Sequence, residues 1–252
     1  MQYLKKLGCV IWTSILWVRQ IIYWVFFTLS VVIFGSMAWL AYRFNAPHKV
    51  RILIVKGWSF TGMGLMYFIL WQRIVIKGRD NIPKGACVYI AKHQSPWETI
   101  TFAGLLSNIT FVLKQSLLKI PFLGVGLKSF ECIPIERSQR LKAFKKVIEM
   151  GQKRLKRGIS IVIFPEGTRV KTGEYPKFHK TAMALAGATK SPVVPVALNS
   201  GRLWPTRGFG LIKPGVVTMV FGPCIEADKT DNDTLYQQCY DWITETTQAL
   251  GG

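Results

Sequence analysis

The stretch YIAKHQSPWETITF, residues 89–102, places an imidazole, His93, at the end of an apolar run and a carboxylate, Glu98, five positions later. A carboxylate that accepts a hydrogen bond from one imidazole nitrogen fixes the tautomer and leaves the other nitrogen free to act as a base. Ser95 reads as a helix N-cap, Pro96 suits the first helical position, and Glu98 then falls in the first turn. A chain turning from strand into helix brings residues at this spacing together. The plain alternative is a loop pair that satisfies only itself. A second polar stretch, FPEGTR (residues 164–169), closes the apolar run ISIVIFP. Its Glu166, Gly167, Thr168 and Arg169 offer backbone N–H groups at a turn, a hydroxyl, and a guanidinium able to grip phosphate with two nitrogens. Alone it reads as an anion site, or as a β-turn with a surface ion pair.

Other chemistries find less support. The chain has no Gly-x-Ser-x-Gly elbow, and Ser95, two residues from His93, is better explained as a cap than as a nucleophile. Five cysteines (Cys9, Cys87, Cys132, Cys224, Cys239) are scattered without a Cys-x-x-Cys pair. That pattern argues against a disulfide framework and a structural zinc site, and reads as reduced thiols facing the cytoplasm. No metal-ligand cluster is visible.

The elements that must hold these groups follow from patterning. Short β-branched runs at 86–92, 108–114, 131–136, 159–165, 191–198 and 215–222 read as strands. Helical stretches fall between them at about 97–106, 116–129, 138–157, 178–189 and 231–248. The alternation predicts an α/β fold, a mostly parallel sheet flanked by helices. In such sheets chemistry gathers beyond the carboxyl ends of strands, where loops 93–98, 137–140 and 165–169 fall.

Ahead of this domain, Gln20–Tyr42 is uncharged over 23 residues, enough to cross a bilayer core. It is too long for a signal-peptide h-region. A second apolar run, 57–72, is shorter, and cations flank both. The positive-inside bias therefore gives no clean orientation. Two crossings or a hairpin embedded in one leaflet both fit, with the hairpin favoured. Residues 1–72 are thus expected to form a hydrophobic two-helix membrane anchor and 73–252 the catalytic α/β domain.

Lys and Arg number 33 against 13 Asp and Glu, a net +20, and half of the residues are apolar, with mean hydropathy +0.24. This balance points to anionic partners. The stretch 138–158 reads as a basic helix with Leu141, Phe144, Val147 and Leu155 toward the core, suited to anionic lipid, an acidic carrier protein or coenzyme A phosphates. Nucleic-acid binding would need aromatic residues interleaved with the cations, and only Phe144 is present. That reading, and that of an inactive lipid-binding scaffold, leave 93–98 and 164–169 unexplained.

Four ordered blocks resemble those of the glycerolipid acyltransferases, most closely the bacterial 1-acyl-sn-glycerol-3-phosphate acyltransferases. HQSPWE is similar to the family's His-x4-Asp box with Glu in place of Asp. IPIERS (133–138) resembles its strand ending in an acid and Arg, FPEGTR matches its third block without change, and VVPVAL (193–198) resembles the fourth. The resemblance spans about residues 70–225. It implies a glycerolphosphate acyltransferase-like fold and transfer of a fatty acyl group from acyl-CoA or acyl-ACP to lysophosphatidic acid, forming phosphatidic acid. Another lysophospholipid acceptor is the alternative. His93 and Glu98 would be catalytic. Arg137, Glu166, Gly167, Thr168 and Arg169 would bind the glycerol phosphate, with Lys114 and Lys180 as weaker candidates. No cofactor beyond the acyl donor and no metal is implied. The partners would be membrane phospholipids, lysophosphatidic acid and acyl-CoA or acyl carrier protein, at the cell inner membrane with the catalytic domain facing the cytoplasm. Two departures stand out. Glu98 is one methylene, about 1.5 Å, longer than the usual Asp, with acidity and hydrogen-bonding capacity kept. His179 and Thr181 replace residues more often Lys and Gly, which weakens any phosphate role for that loop.

Overall fold

The computed structural model describes residues 2–136, 138–208 and 210–252. The expected phosphate ligand Arg137 lies outside the described residues. The chain opens with two helices, α1 (Gln2–Arg43) and α2 (His48–Phe68). Neither contains an acid, since no Asp or Glu precedes Asp80. Between them Asn45 takes the left-handed conformation that stops a helix, and Pro47 leads into the next one.

Seven strands follow: β1 (Gln72–Lys77), β2 (Val88–Ala91), β3 (Ile109–Lys114), β4 (Ile133–Ile135), β5 (Ser160–Ile163), β6 (Val193–Leu198) and β7 (Gly215–Phe221). They form one sheet in the order β1-β7-β6-β2-β5-β3-β4, parallel throughout except between β6 and β7. β2, β5 and β6 are buried at every position, as central strands covered on both faces must be. Six strands lie where the β-branched runs predict them. The seventh, β1, begins inside the run assigned to the anchor. Its QRIVIK pattern is half polar because it is an edge strand, paired only with β7.

The helices divide between the two faces. α3 (Trp97–Leu105) and α4 (Leu123–Ser129) share a core with α1 and α2 through Tyr23, Val55, Met66, Trp97, Phe102 and Phe130. α5 (Arg140–Lys156), α6 (Thr181–Thr189) and α7 (Asn232–Ala249) pack on the other face through Val147, Leu155, Met183, Leu185, Leu235 and Ile243. The helix expected over 116–129 is broken. Gln115–Lys119 forms a 3-10 turn, after which Pro121 and Phe122, the latter at φ 61°, turn the chain before α4. A second correction concerns α5. Leu141 and Phe144 were expected to face the core, but they are 67% and 39% exposed. The helix begins at Arg140, so its first turn projects past the short edge strand β4, and core contact starts at Val147.

At about 1.5 Å per residue α1 is about 63 Å long, and it lies along the domain. Gln20 exchanges hydrogen bonds with the 210–212 loop, donating to Gly210 O at 3.1 Å and accepting from Ile212 N at 2.6 Å. Tyr23 packs edge-on against Trp204. Fifteen residues past Gln20, Gly35 meets Phe122 so closely that a β-carbon there would collide. The opposite side of α1 exposes Val18, Val25, Leu29, Trp39 and other large apolar groups.

Candidate active site

β2 runs out at Ala91, and Lys92 and His93 follow at the carboxyl end of the sheet. The His93 ring stacks on Phe164 at 4.1 Å between centroids and 18° between planes. Its Nδ1 lies 3.4 Å from Glu98 Oε2, an ion-pair distance without the directionality of a hydrogen bond. The His93 side chain is 13% exposed and that of Glu98 fully buried, so one face of the imidazole meets solvent.

Glu98 is held by donors. The backbone N–H groups of Gln94 and Ser95 reach Oε1 at 3.2 and 3.0 Å, and that of Ser95 also reaches Oε2 at 3.0 Å. Ser200 Oγ donates to Oε1 and lies 2.9 Å from Ser95 Oγ. Ser95 Oγ in turn accepts from Trp97 N at 3.2 Å, and Pro96 has helical φ and ψ. Ser95 thus acts as the cap, Pro96 sits in the first helical position, and Ser95-x-x-Glu98 is a capping box whose carboxylate reaches back to the cap N–H. The same side chain starts the helix and faces the imidazole.

FPEGTR closes over this turn. Val170 N donates to His93 O at 2.8 Å, and His93 N reaches Glu166 Oε1 at 3.4 Å. The Glu166 side chain is fully buried, 3.4 Å from an equally buried Lys92 Nζ. Burial pushes the Glu166 carboxyl up, with Lys92 opposing that rise, and burial pulls the Lys92 ammonium down. Lys92 also donates to Glu174 O at 2.8 Å. Gly167 has φ 69°, and a β-carbon there would lie 3.2 Å from the His179 ring, so glycine is required for both conformation and space.

Two cavities lie near the pair, lined by its sequence neighbours and by the FPEGTR turn. The first, 240 Å³, is almost wholly apolar, reaching from Pro96, Thr99 and Arg169 to Phe27, Val31 and Phe122 between α1–α2 and α3–α4. The second, 390 Å³, has Phe164, which stacks on His93, in its wall and carries polar groups from Arg140, Glu166, Gly167, Thr168, His179 and Thr181. Burial draws the Arg169 guanidinium below its usual value, with the Glu98 charge acting in the opposite sense.

A family profile described as Acyltransferase matches residues 73–199, half of the chain. The chain belongs to the acyltransferase family. It is 33% identical over 233 residues to a 1-acyl-sn-glycerol-3-phosphate acyltransferase of Pseudomonas aeruginosa, covering 91% of this chain and 90% of the relative. A protein of the same name from Escherichia coli K12 is 28% identical over 186 residues, covering 73% and 74%. The fold is similar to a crystal structure of a 1-acyl-sn-glycerophosphate (LPA) acyltransferase from Thermotoga maritima, with a TM-score of 0.77, 22% identity, and 92% and 95% of the two chains covered.

In this acyltransferase the sequence-selected residues do not all converge. His93, Glu98, Glu166, Gly167, Thr168 and Arg169 come together. Thr168 and Arg169 flank different cavities, and Glu166 borders the second of them while its side chain is fully buried against Lys92. Lys180 is drawn off to Asp233 of α7 at 2.5 Å, and Lys114 is exposed at the end of β3. Sequence reasoning passed over Ser200 and Arg140, and it read His179 as weakening a phosphate role, whereas the ring lines the second cavity. Only the Ser-x-x-Glu spacing carried a local signal, because Ser200 and His179 arrive from segments distant in sequence.

Proposed function

We propose that this chain transfers a fatty acyl group from an acyl thioester to the sn-2 hydroxyl of 1-acyl-sn-glycerol 3-phosphate, forming phosphatidic acid. The observation that carries this reading is the His93–Glu98 pair, with an apolar cavity lined by Pro96 and Thr99 beyond it and a polar, hydroxyl- and guanidinium-bearing cavity reached through Phe164, on which His93 stacks. The names of its relatives support the same acceptor. Glu98 faces Nδ1 of His93, leaving Nε2 to take the proton of the acceptor hydroxyl as its oxygen attacks the thioester carbonyl. The C–O bond forms and the C–S bond breaks, and the imidazolium returns its proton to the departing thiolate. The Glu98 carboxylate balances the transient charge, and no acyl-enzyme is needed. The phosphate rests among Arg140, Thr168, His179 and the Gly167 turn, and the acyl chain enters the apolar cavity. Glu166 positions His93 from below through its backbone N–H and through Lys92.

Residues 1–72 serve as the anchor and 73–252 as the catalytic unit. α1 is the one helix among the described residues long and apolar enough to cross a membrane. Its attachment along the domain favours an embedded hairpin at the inner membrane, with the catalytic unit toward the cytoplasm.

The test uses purified protein, lysophosphatidic acid and radiolabelled oleoyl-CoA or oleoyl-ACP. His93→Ala should lower acyl transfer by about 10²–10⁴-fold with membrane binding intact. Turnover at the parental rate in that variant overturns the base assignment, and absence of labelled phosphatidic acid from the parent with both donors overturns the reaction.

A further inference from the structure

Beside the edge strand β1, at the same end of the sheet as His93 but three strands across from β2, α1 carries a guanidinium with no counter-charge among the described residues. Arg19 is 6% exposed, and its Nε and Nη1 have no partner among the described residues. Its one hydrogen bond is a long one, 3.4 Å from Nη2 to Ile212 O. The group is held flat, its central carbon 4.4 Å above the Trp71 ring, so its orientation is fixed before any ligand arrives. No acid lies anywhere in the first 79 residues, so the anchor cannot neutralise it from within.

The space in front of Arg19 is a groove of 510 Å³ with Ser14 at its side. Its walls are Ile11, Ile15, Val18 and Ile22, spaced to share one face of the helix, together with Trp71. All four aliphatic side chains are exposed. This is a shallow, open apolar depression along α1, with a buried cation, unpaired among the described residues, at one point on its wall. A desolvated cation is tolerable only when a partner completes it, and planar guanidinium suits a phosphate oxygen pair.

We propose that this groove binds one anionic phospholipid, its phosphodiester on Arg19 and Ser14 and an acyl chain along Ile11–Ile22. The site lies apart from the His93 cavities and does not depend on the reaction assigned to them. It would hold the β1 end of the molecule to the bilayer surface and select membranes that carry negative charge.

The full chain, delipidated in neutral detergent, is titrated with phosphatidylglycerol, with phosphatidylcholine of the same chains, and with inorganic phosphate, and bound lipid is counted by native mass spectrometry. One saturable phosphatidylglycerol per chain is expected. Its half-saturation should rise at least tenfold, roughly the loss of one charge-assisted bidentate contact, in Arg19→Gln. Ser14→Trp, which fills the groove and leaves Arg19 in place, should show the same loss and decides the matter if Arg19→Gln does not fold. Equal retention of phosphatidylcholine, parental retention in Ser14→Trp, or complete displacement of the lipid by millimolar inorganic phosphate would each overturn the proposal, the last by reducing it to a simple anion site.

Discussion

A glutamate in a box whose resembled pattern has aspartate finds its explanation in the company it keeps. The longer side chain lets one carboxylate reach the cap N–H of Ser95, the hydroxyl of Ser200 and the imidazole of His93 together. Glu98→Asp should keep activity within about tenfold, because charge and acceptor capacity survive while the reach to Ser200 shortens. Glu98→Gln should lose most activity, since the amide can keep the capping contact to the Ser95 N–H but carries no charge to balance the imidazolium and offers one acceptor oxygen in place of two. Ser200→Ala should reduce kcat several-fold with KM unchanged, as expected of a group that orients the carboxylate without touching substrate. Steady-state kinetics and thermal unfolding of the three variants check this, and parental kcat in Ser200→Ala would leave that hydroxyl with no positioning role. The His-x4-Glu and FPEGTR stretches were legible because each is a local chain pattern. Ser200 and Arg140 were not, and His179 was discounted, because their relevance exists only once β4, β6 and the 171–180 segment are brought to the same end of the sheet.

Among the elements, legibility follows burial. Strands hidden on both faces announce themselves as continuous apolar runs, whereas β1, at the sheet edge and adjoining the anchor, mixes Gln and Arg with Ile and Val. α5 misleads in the opposite sense, since the periodicity of Leu141 and Phe144 is helical but the sheet ends before their turn. One junction ties the two faces of the fold. Glu131, between α4 and β4, meets Arg154 at 3.2 Å and Arg157 at 2.7 Å on α5, and lies 3.8 Å from His48 at the start of α2. The Arg157 hydrogen bonds, aided by the Arg154 charge and opposed by burial, lower the Glu131 carboxyl below its usual 4.5. A carboxyl so lowered stabilises the fold above pH 4.5, and that contribution disappears as pH falls through the folded value. Glu131→Gln should therefore melt below the parent at neutral pH, by no more than about 1 kcal/mol for a partly exposed pair. The gap should close in acid. A constant gap from pH 7 to pH 3 would remove the ion pair as its cause.

For the molecule as a whole, the thiols report whether the layers are closed. Burial raises Cys87 to about 11 and Cys132 and Cys239 to about 12, while Cys9 is exposed on α1 and Cys224 half-buried. A neutral maleimide near pH 7 should label Cys9 first, Cys224 slowly and the other three only in denaturant, as read by intact mass. Early labelling of Cys239 would mean that α7 is undocked from the sheet. The scatter of cysteines points to reduced thiols, which this labelling tests, and the charge balance points to anionic partners. How the anchor sits could not be read, because apolar length alone does not distinguish a rod standing through a bilayer from one lying in it. With α1 fastened to the α/β unit at Gln20 and again at Gly35, the embedding proposed above would fix the depth of the His93 site in the leaflet. The acceptor is then met by lateral diffusion, so turnover is governed by its mole fraction in the surface, and diluting it with inert lipid slows the enzyme even when the total amount per litre is unchanged.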